Sequence, residues 1–197
     1  MKAILAAVGT ILVLVIGFAL WGMGNYNKYV GLQEQVNGAW AQVQNVYQRR
    51  SDLVPNLVET VKGAANFEKS TLIAVTEARA KVGSFTVDKS VLDDPARFKQ
   101  FDAAQGQLGS ALSRLMVVIE KYPELKANTN FRDLQVQLEG TENRIAVERR
   151  NFNEAAIAYN TAIRRVPGAL IANFGGFRAR PYFEAAEEAQ KAPAVKF

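Results

Sequence analysis

The first charge-free stretch dominates the pattern. After Lys2 the chain reads AILAAVGTILVLVIGFALWGMGNYN, with no formal charge from residue 3 to residue 27. A helix needs about 20 apolar residues to cross the hydrocarbon core. Ala3 to Gly24 supplies them, with Leu12, Val15 and Phe18 inside the run and Trp21 and Tyr26 placed for an interfacial aromatic belt. A cleaved signal peptide has an apolar region of about 7–15 residues and a small-residue cleavage site. This run is longer, and Ala19-Leu20-Trp21 does not suit cleavage. Residues 1–26 are therefore read as an uncleaved transmembrane anchor.

Beyond the anchor, apolar residues recur three and four apart, which is amphipathic-helix spacing and not strand alternation. Val36, Trp40, Val43 and Tyr47 set the first stripe, and Trp40 and Tyr47 are read as core-filling. Leu57, Val61, Ala65, Leu72, Val75, Ala78 and Val82 continue it. Pro55 cannot donate an intrahelical hydrogen bond. With Ser51 or Asp52 as cap, it predicts one helix over 27–50 and another over 52–82. The apolar phase runs on across Pro55, so a single kinked helix is the open alternative.

Residues 83–93 read as a loop. Asp94-Pro95 is a cap followed by proline at the first helical position, and it starts a helix over 94–121 ending near Tyr122-Pro123. Asn128 or Asn130 caps a last helix over 129–165, about 50 Å long, stopped by Pro167-Gly168. The fold class is all-α: an N-terminal transmembrane helix, then an up-and-down four-helix bundle with long helices over 27–166. In that topology the tail, 167–197, returns to the membrane. A single helix through Pro55 is expected to leave it far away. The tail's GALIANFGGFRARPYF admits two readings. Phe174, Phe177, Arg178, Arg180, Tyr182 and Phe183 form a membrane or partner contact, or the segment caps the bundle's own core.

Composition narrows the chemistry. There is no Cys and no His, which removes thiol nucleophiles, serine–histidine triads and the usual zinc and iron–sulfur ligands. The net charge of +5 comes without a basic cluster dense enough to indicate nucleic acid. Glu139 and Glu142 lie three apart, yet a di-metal bundle site uses Glu-x-x-His pairs, so they are read as solvated or paired with Arg144 and Arg132. Gly140 sits inside a helix at a cost of about 1 kcal/mol, which predicts a close helix–helix approach, within the bundle or between protomers. Arg149-Arg150, Arg164-Arg165, Arg178 and Arg180 admit a basic rim facing anionic headgroups, or simple cations complementing a helix C-terminus.

Four strings carry a resemblance: AWAQVQNVYQRRSDLVPNLVETVKG (Ala39–Gly63), TEARA (Thr76–Ala80), YPELKANTNFRDLQVQLEGTENRIAVERRNFNEA (Tyr122–Ala155) and YNTAIRRVPGALIANFGGFRARPYFEA (Tyr159–Ala185). They resemble the LemA family over essentially the whole chain. Gly38 and Ala64-Ala65-Asn66-Phe67 depart from the family's usual residues. The resemblance implies an N-terminally anchored bacterial membrane protein with a helical bundle, and no catalytic set. Arg49, Arg50, Asp52, Pro55 and Asn56 are read as a family-signature corner between two helices. Its charges form either local ion pairs or a contact surface at the membrane-distal tip. No catalytic residue, metal or cofactor is expected. The expected partners are the lipid bilayer, further copies of the chain and another membrane protein. The expected place is the bacterial inner membrane, with Lys2 inside and the bundle outside the cytoplasm. Two functions stay open: a self-assembling scaffold or interaction module of the envelope, and an accessory or regulatory subunit of a membrane enzyme such as a protease.

Overall fold

The computed structural model describes residues 1–63, 67–85 and 89–184, and within them the chain is helical with no strand. Helix α1 spans Lys2–Lys62, α2 Lys69–Gly83, α3 Pro95–Ile119, α4 Pro123–Ala127, α5 Thr129–Arg164 and α6 Ala169–Phe174, with a 3-10 turn at Lys89–Leu92. Ala65 of the expected stripe, its neighbours Ala64 and Asn66, and Thr86 to Asp88 of the expected loop lie outside the described residues.

The predicted break near Ser51 is absent. Helix α1 runs 61 residues straight through Pro55, so residues 52–62 belong to the first helix and the second begins only at Lys69. Two physical reasons explain this. The buried positions Val36, Trp40, Val43, Tyr47, Arg50, Val54, Leu57 and Val61 alternate four and three apart without a slip. A break would turn part of that stripe into solvent. The second reason is local. Proline at 55 deprives one carbonyl, that of Ser51, of its helical donor. Arg79 of α2 supplies the donor instead, its Nε 3.0 Å from the Ser51 oxygen.

The other boundaries follow local signals. The Asp94 carboxylate accepts from the Ala96 and Arg97 amides at 2.9 and 3.2 Å, with Pro95 opening α3. Asn128 accepts from the Phe131 amide at 3.2 Å and opens α5. Helix α3 stops at Ile119, two residues before the expected end, because the chain turns tightly into Pro123, which starts the short α4.

Helices α1 and α5 pair antiparallel. Arg50 meets Glu142, and ten residues earlier Trp40 packs on Phe152, ten residues later. Helix α2 lies along α3, with Lys81 Nζ donating to Gln107 at 2.9 Å. The interior has two apolar parts. The part far from the anchor is mainly aliphatic and includes Val54, Leu57, Val61, Val75, Leu108, Leu112 and Leu115, with Phe67 and Phe131 among them. The part nearer the anchor is aromatic. There Trp40 lies 5.4–6.2 Å, centroid to centroid, from Phe98, Phe101, Phe152 and Phe183. Tertiary packing of these faces, not helix propensity, carries most of the stability of such helices.

The chain after α5 comes back to the C-terminal end of the exposed apolar stretch, although α1 is unbroken. A Cβ placed on Gly168 would collide with the Tyr29 hydroxyl oxygen, so the lack of a side chain at 168 is what allows this approach without displacing Tyr29. The expectation that a continuous first helix would send the tail away is therefore overturned. Helix α2 still reverses the chain, only with a later start. Within the chain no neighbour approaches Gly140, since a Cβ there would meet nothing within 4 Å, which leaves contact between protomers as the other reading of this glycine.

The Arg79 contact predicts a coupling. Arg79→Leu should cost about 1–2 kcal/mol in the native chain, as loss of a charge-assisted hydrogen bond does. In a Pro55→Ala background, the amide restored at position 55 competes for the same carbonyl, and the cost should fall by about 1 kcal/mol. Equal costs in the two backgrounds, read by denaturant unfolding in detergent, would show that Arg79 does not serve the freed carbonyl.

Candidate functional site

A polar layer divides the two apolar parts. Arg50 occupies a core position of the α1 stripe and is 3% exposed. Its Nη1 donates to both Glu142 oxygens at 3.0 and 3.2 Å, and its Nη2 to the Gln105 backbone oxygen at 3.0 Å and to the Gln105 side chain. The Glu142 side chain is 41% exposed, so the pair sits at the edge of the interior. Removing one partner of a buried charge pair is costly because the other is stranded.

This arrangement corrects two expectations. The residues read as a corner lie in mid-helix, neither at a turn nor at the tip. Arg49 is exposed beside a shallow groove shared with Val136, Gly140 and Arg144 of α5, Asp52 accepts from Gln48 at 2.7 Å, and Pro55 and Asn56 are exposed on α1. Glu142 is paired with Arg50, not with Arg144 or Arg132. Arg144 bonds Glu148 at 3.0 Å, and Glu139 accepts from Gln135 at 2.9 Å. Among the described residues no group of three or more carboxylates gathers as a metal ion would need.

The tail is strapped to α5 by two asparagines seven residues apart. Asn160 Nδ2 donates to the Arg180 backbone oxygen at 2.8 Å, and the Arg180 amide returns a bond to Asn160 Oδ1 at 2.8 Å. Asn153 repeats this with Phe183, at 2.8 and 2.9 Å. Each side-chain amide thus pairs with an extended backbone as a neighbouring strand would. Arg180 forms an ion pair with Asp93, and Asn160 also donates to the Tyr182 hydroxyl at 2.6 Å. Phe183 fills the aromatic interior under Arg149, whose guanidinium stands 4.3 Å from the ring centroid.

The six tail residues expected to face a membrane or partner are therefore split. Arg180 and Phe183 are buried and belong to the strap, because Asn160 and Asn153 capture their backbones. Tyr182 is held by Asn160 at the strap's edge. Phe177 packs between Tyr26 and Tyr29 at 5.3 and 5.6 Å. Phe174 and Arg178 stand in the open, and Tyr182 is exposed as well although Asn160 holds its hydroxyl. Of the six arginines of the expected basic rim, Arg149 bonds Asp102 at 3.1 Å and Arg180 is buried, while Arg150, Arg164, Arg165 and Arg178 are exposed. Ala3, Leu12, Val15, Phe18 and Trp21 lie on the exposed apolar part of α1. Sequence reading missed Asn153 and Asn160. Their signal was a polar side chain of poor helix propensity at heptad spacing, beside the apolar Phe152 and Tyr159.

Burial governs the electrostatics here. It raises the Asp102 carboxyl above the usual range, against the lowering charge and hydrogen bond of Arg149. It raises the Tyr47 phenol against Arg149 and Arg50, and the Tyr159 phenol against Arg180.

Among the described residues the protein is all-helical, with one helix long and apolar enough to cross a bilayer, continuous with a packed helical domain. The LemA family profile matches residues 39–197, and the chain belongs to the LemA family. It is similar to Magnetosome protein MamQ 2 of Paramagnetospirillum magneticum, 28% identical over 186 residues, covering 86% of this chain and 68% of that protein. It is similar to Magnetosome protein MamQ of Magnetospirillum gryphiswaldense, 29% identical over 174 residues, 80% of this chain and 64% of that protein. Protein LemA of Metamycoplasma hominis is 28% identical over 142 residues, 72% of this chain and 60% of that protein.

Asp102 gives a pH prediction. Its folded pKa lies above its unfolded one, so between the two values the native chain binds more protons there than the unfolded chain. That stability is complete below the unfolded value and lost as pH rises through the folded one. The unfolding free energy of the native chain minus that of Asp102→Asn should therefore grow as pH falls from neutral toward about 4. A flat or shrinking difference contradicts the buried carboxyl.

Proposed function

We propose that this protein is a non-enzymatic, membrane-anchored scaffold or interaction module of the bacterial envelope, built as an up-and-down bundle of four long helices and working as a homo-oligomer. One observation carries the reading. A single helix presents exposed apolar side chains over its first 20 residues and then, without interruption, a heptad stripe buried in the domain. Such a helix ties the position of the domain to the bilayer. The polar groups of the interior support the reading too, since Arg50, Glu142, Asn153, Asn160 and Arg180 bind other parts of the chain. Two relatives are named as magnetosome proteins, which favours a part in organising a cellular structure over turnover of a metabolite. In this reading the anchor lies in the inner membrane, and the domain stands outside the cytoplasm because Lys2 favours the inner side.

The other candidate role is an accessory subunit of a membrane enzyme such as a protease, and one measurement separates the two. The mass of the gently detergent-extracted full-length protein should be a discrete multiple of the 21.7 kDa protomer. A monomer carrying a second polypeptide in fixed proportion would replace the scaffold by the accessory subunit.

A further inference from the structure

We propose that α6 and the turn leading into it form a foot that rests in the headgroup layer of the bilayer, with Leu170 and Phe174 dipping toward the acyl chains. The inference rests on reading α1 as the spanning anchor, and it adds a second, separate membrane contact.

The level of α6 is set by α1. Ala3 to Gly24 is 22 residues, about 33 Å of helix, against a hydrocarbon core of about 30 Å. Gly22 therefore lies within about one turn of the hydrocarbon edge. The Ile171 side chain of α6 comes to 3.4 Å from where a Cβ on Gly22 would stand. Ile171 and Phe174 share a groove with Gly22, Met23 and Tyr26. A helix in contact with Gly22 and Tyr26 stands at the membrane surface if α1 spans.

The face that α6 turns outward is apolar. Ala172 is buried against the domain, whereas Leu170 and Phe174, four apart on one helical face, are 57% and 92% exposed. Single exposed apolar side chains on a protein surface are ordinary. These two are set apart by their level, where the medium beside them is lipid and not water. The strap holds them there. The chain reverses at Gly175-Gly176, with Gly176 at a φ of +72°, and Phe177 then locks onto Tyr26 and Tyr29.

Charge agrees with this placement. Lys28 and Arg165 line one groove of about 470 Å³ beside Trp21, and no acidic residue lines it. Cations and tryptophan at this depth suit lipid phosphates and the interfacial belt. Apolar side chains at this level gain by burial at the boundary between headgroups and acyl chains, in proportion to the area they bury.

The chain has no cysteine, so single thiols report cleanly. Leu12→Cys, Phe174→Cys and Val136→Cys, made separately in the full-length protein, are labelled with an environment-sensitive fluorophore. Each is reconstituted in vesicles of three parts phosphatidylcholine to one part phosphatidylglycerol. Quenching is read with a nitroxide high on the lipid acyl chain and with iodide in the water. All three positions are exposed, so folding is checked by helicity alone. The probe at 174 should be quenched several-fold more by the lipid nitroxide than the probe at 136, and shielded from iodide. If the probe at 12 is in lipid while that at 174 behaves like 136, the foot is wrong and the anchor stands. If the probe at 12 is open to iodide, the anchor reading fails and the foot falls with it.

Discussion

The structure depends on α1 staying helical through Pro55. Proline in a helix interior removes a donor and crowds the carbonyl one turn back, at a cost of about 3 kcal/mol. Here the unpaired Ser51 carbonyl is taken by Arg79, reaching across from α2. The consequence is long-range. Because α1 does not end near Ser51, Arg50 falls on its core stripe instead of at a turn. It can then meet Gln105 of α3 and Glu142 of α5 at once. The same unbroken stripe sets the register in which Trp40 meets Phe152 and Tyr29 meets Gly168.

The polar features of the interior follow one logic. A buried polar group is tolerated when its hydrogen bonds are made locally and specifically. Arg50 ties three helices at one level, between a mainly aliphatic and an aromatic apolar part. Asn153 and Asn160 give an extended tail the backbone partners it would otherwise lack. Apolar contacts alone would let α5 slide against α1 or let the tail lift away. These bonds fix the register and place α6 beside Gly22.

How much was legible in the sequence tracks the range of each interaction. The caps Asp94 and Asn128 act on amides two or three residues away, and the residues themselves announce them. The apolar N-terminal run is read from composition. The course of the chain at Pro55 was half legible: the apolar phase kept one helix through the proline open, but the donor that serves the Ser51 carbonyl lies 28 residues beyond it on α2. The role of Arg50 needed a partner 92 residues away, so the residue was read as part of a corner. The tail was half legible. Its aromatics implied either a core cap or an outward contact. The structure gives Phe183 to the core and leaves Phe174 outside, a division decided by Asn153 and Asn160. For Gly140 the sequence left two kinds of close approach open, and none occurs within the chain.

The most direct test of the unbroken α1 is a distance along it. In the cysteine-free chain, Asn27→Cys and Glu59→Cys place spin labels on exposed positions of the same helix. Thirty-two residues of continuous helix put them about 50 Å apart with a narrow distribution in reconstituted vesicles. A helix that ended near Ser51 and folded back would bring them to about 25 Å, and that result would contradict the account.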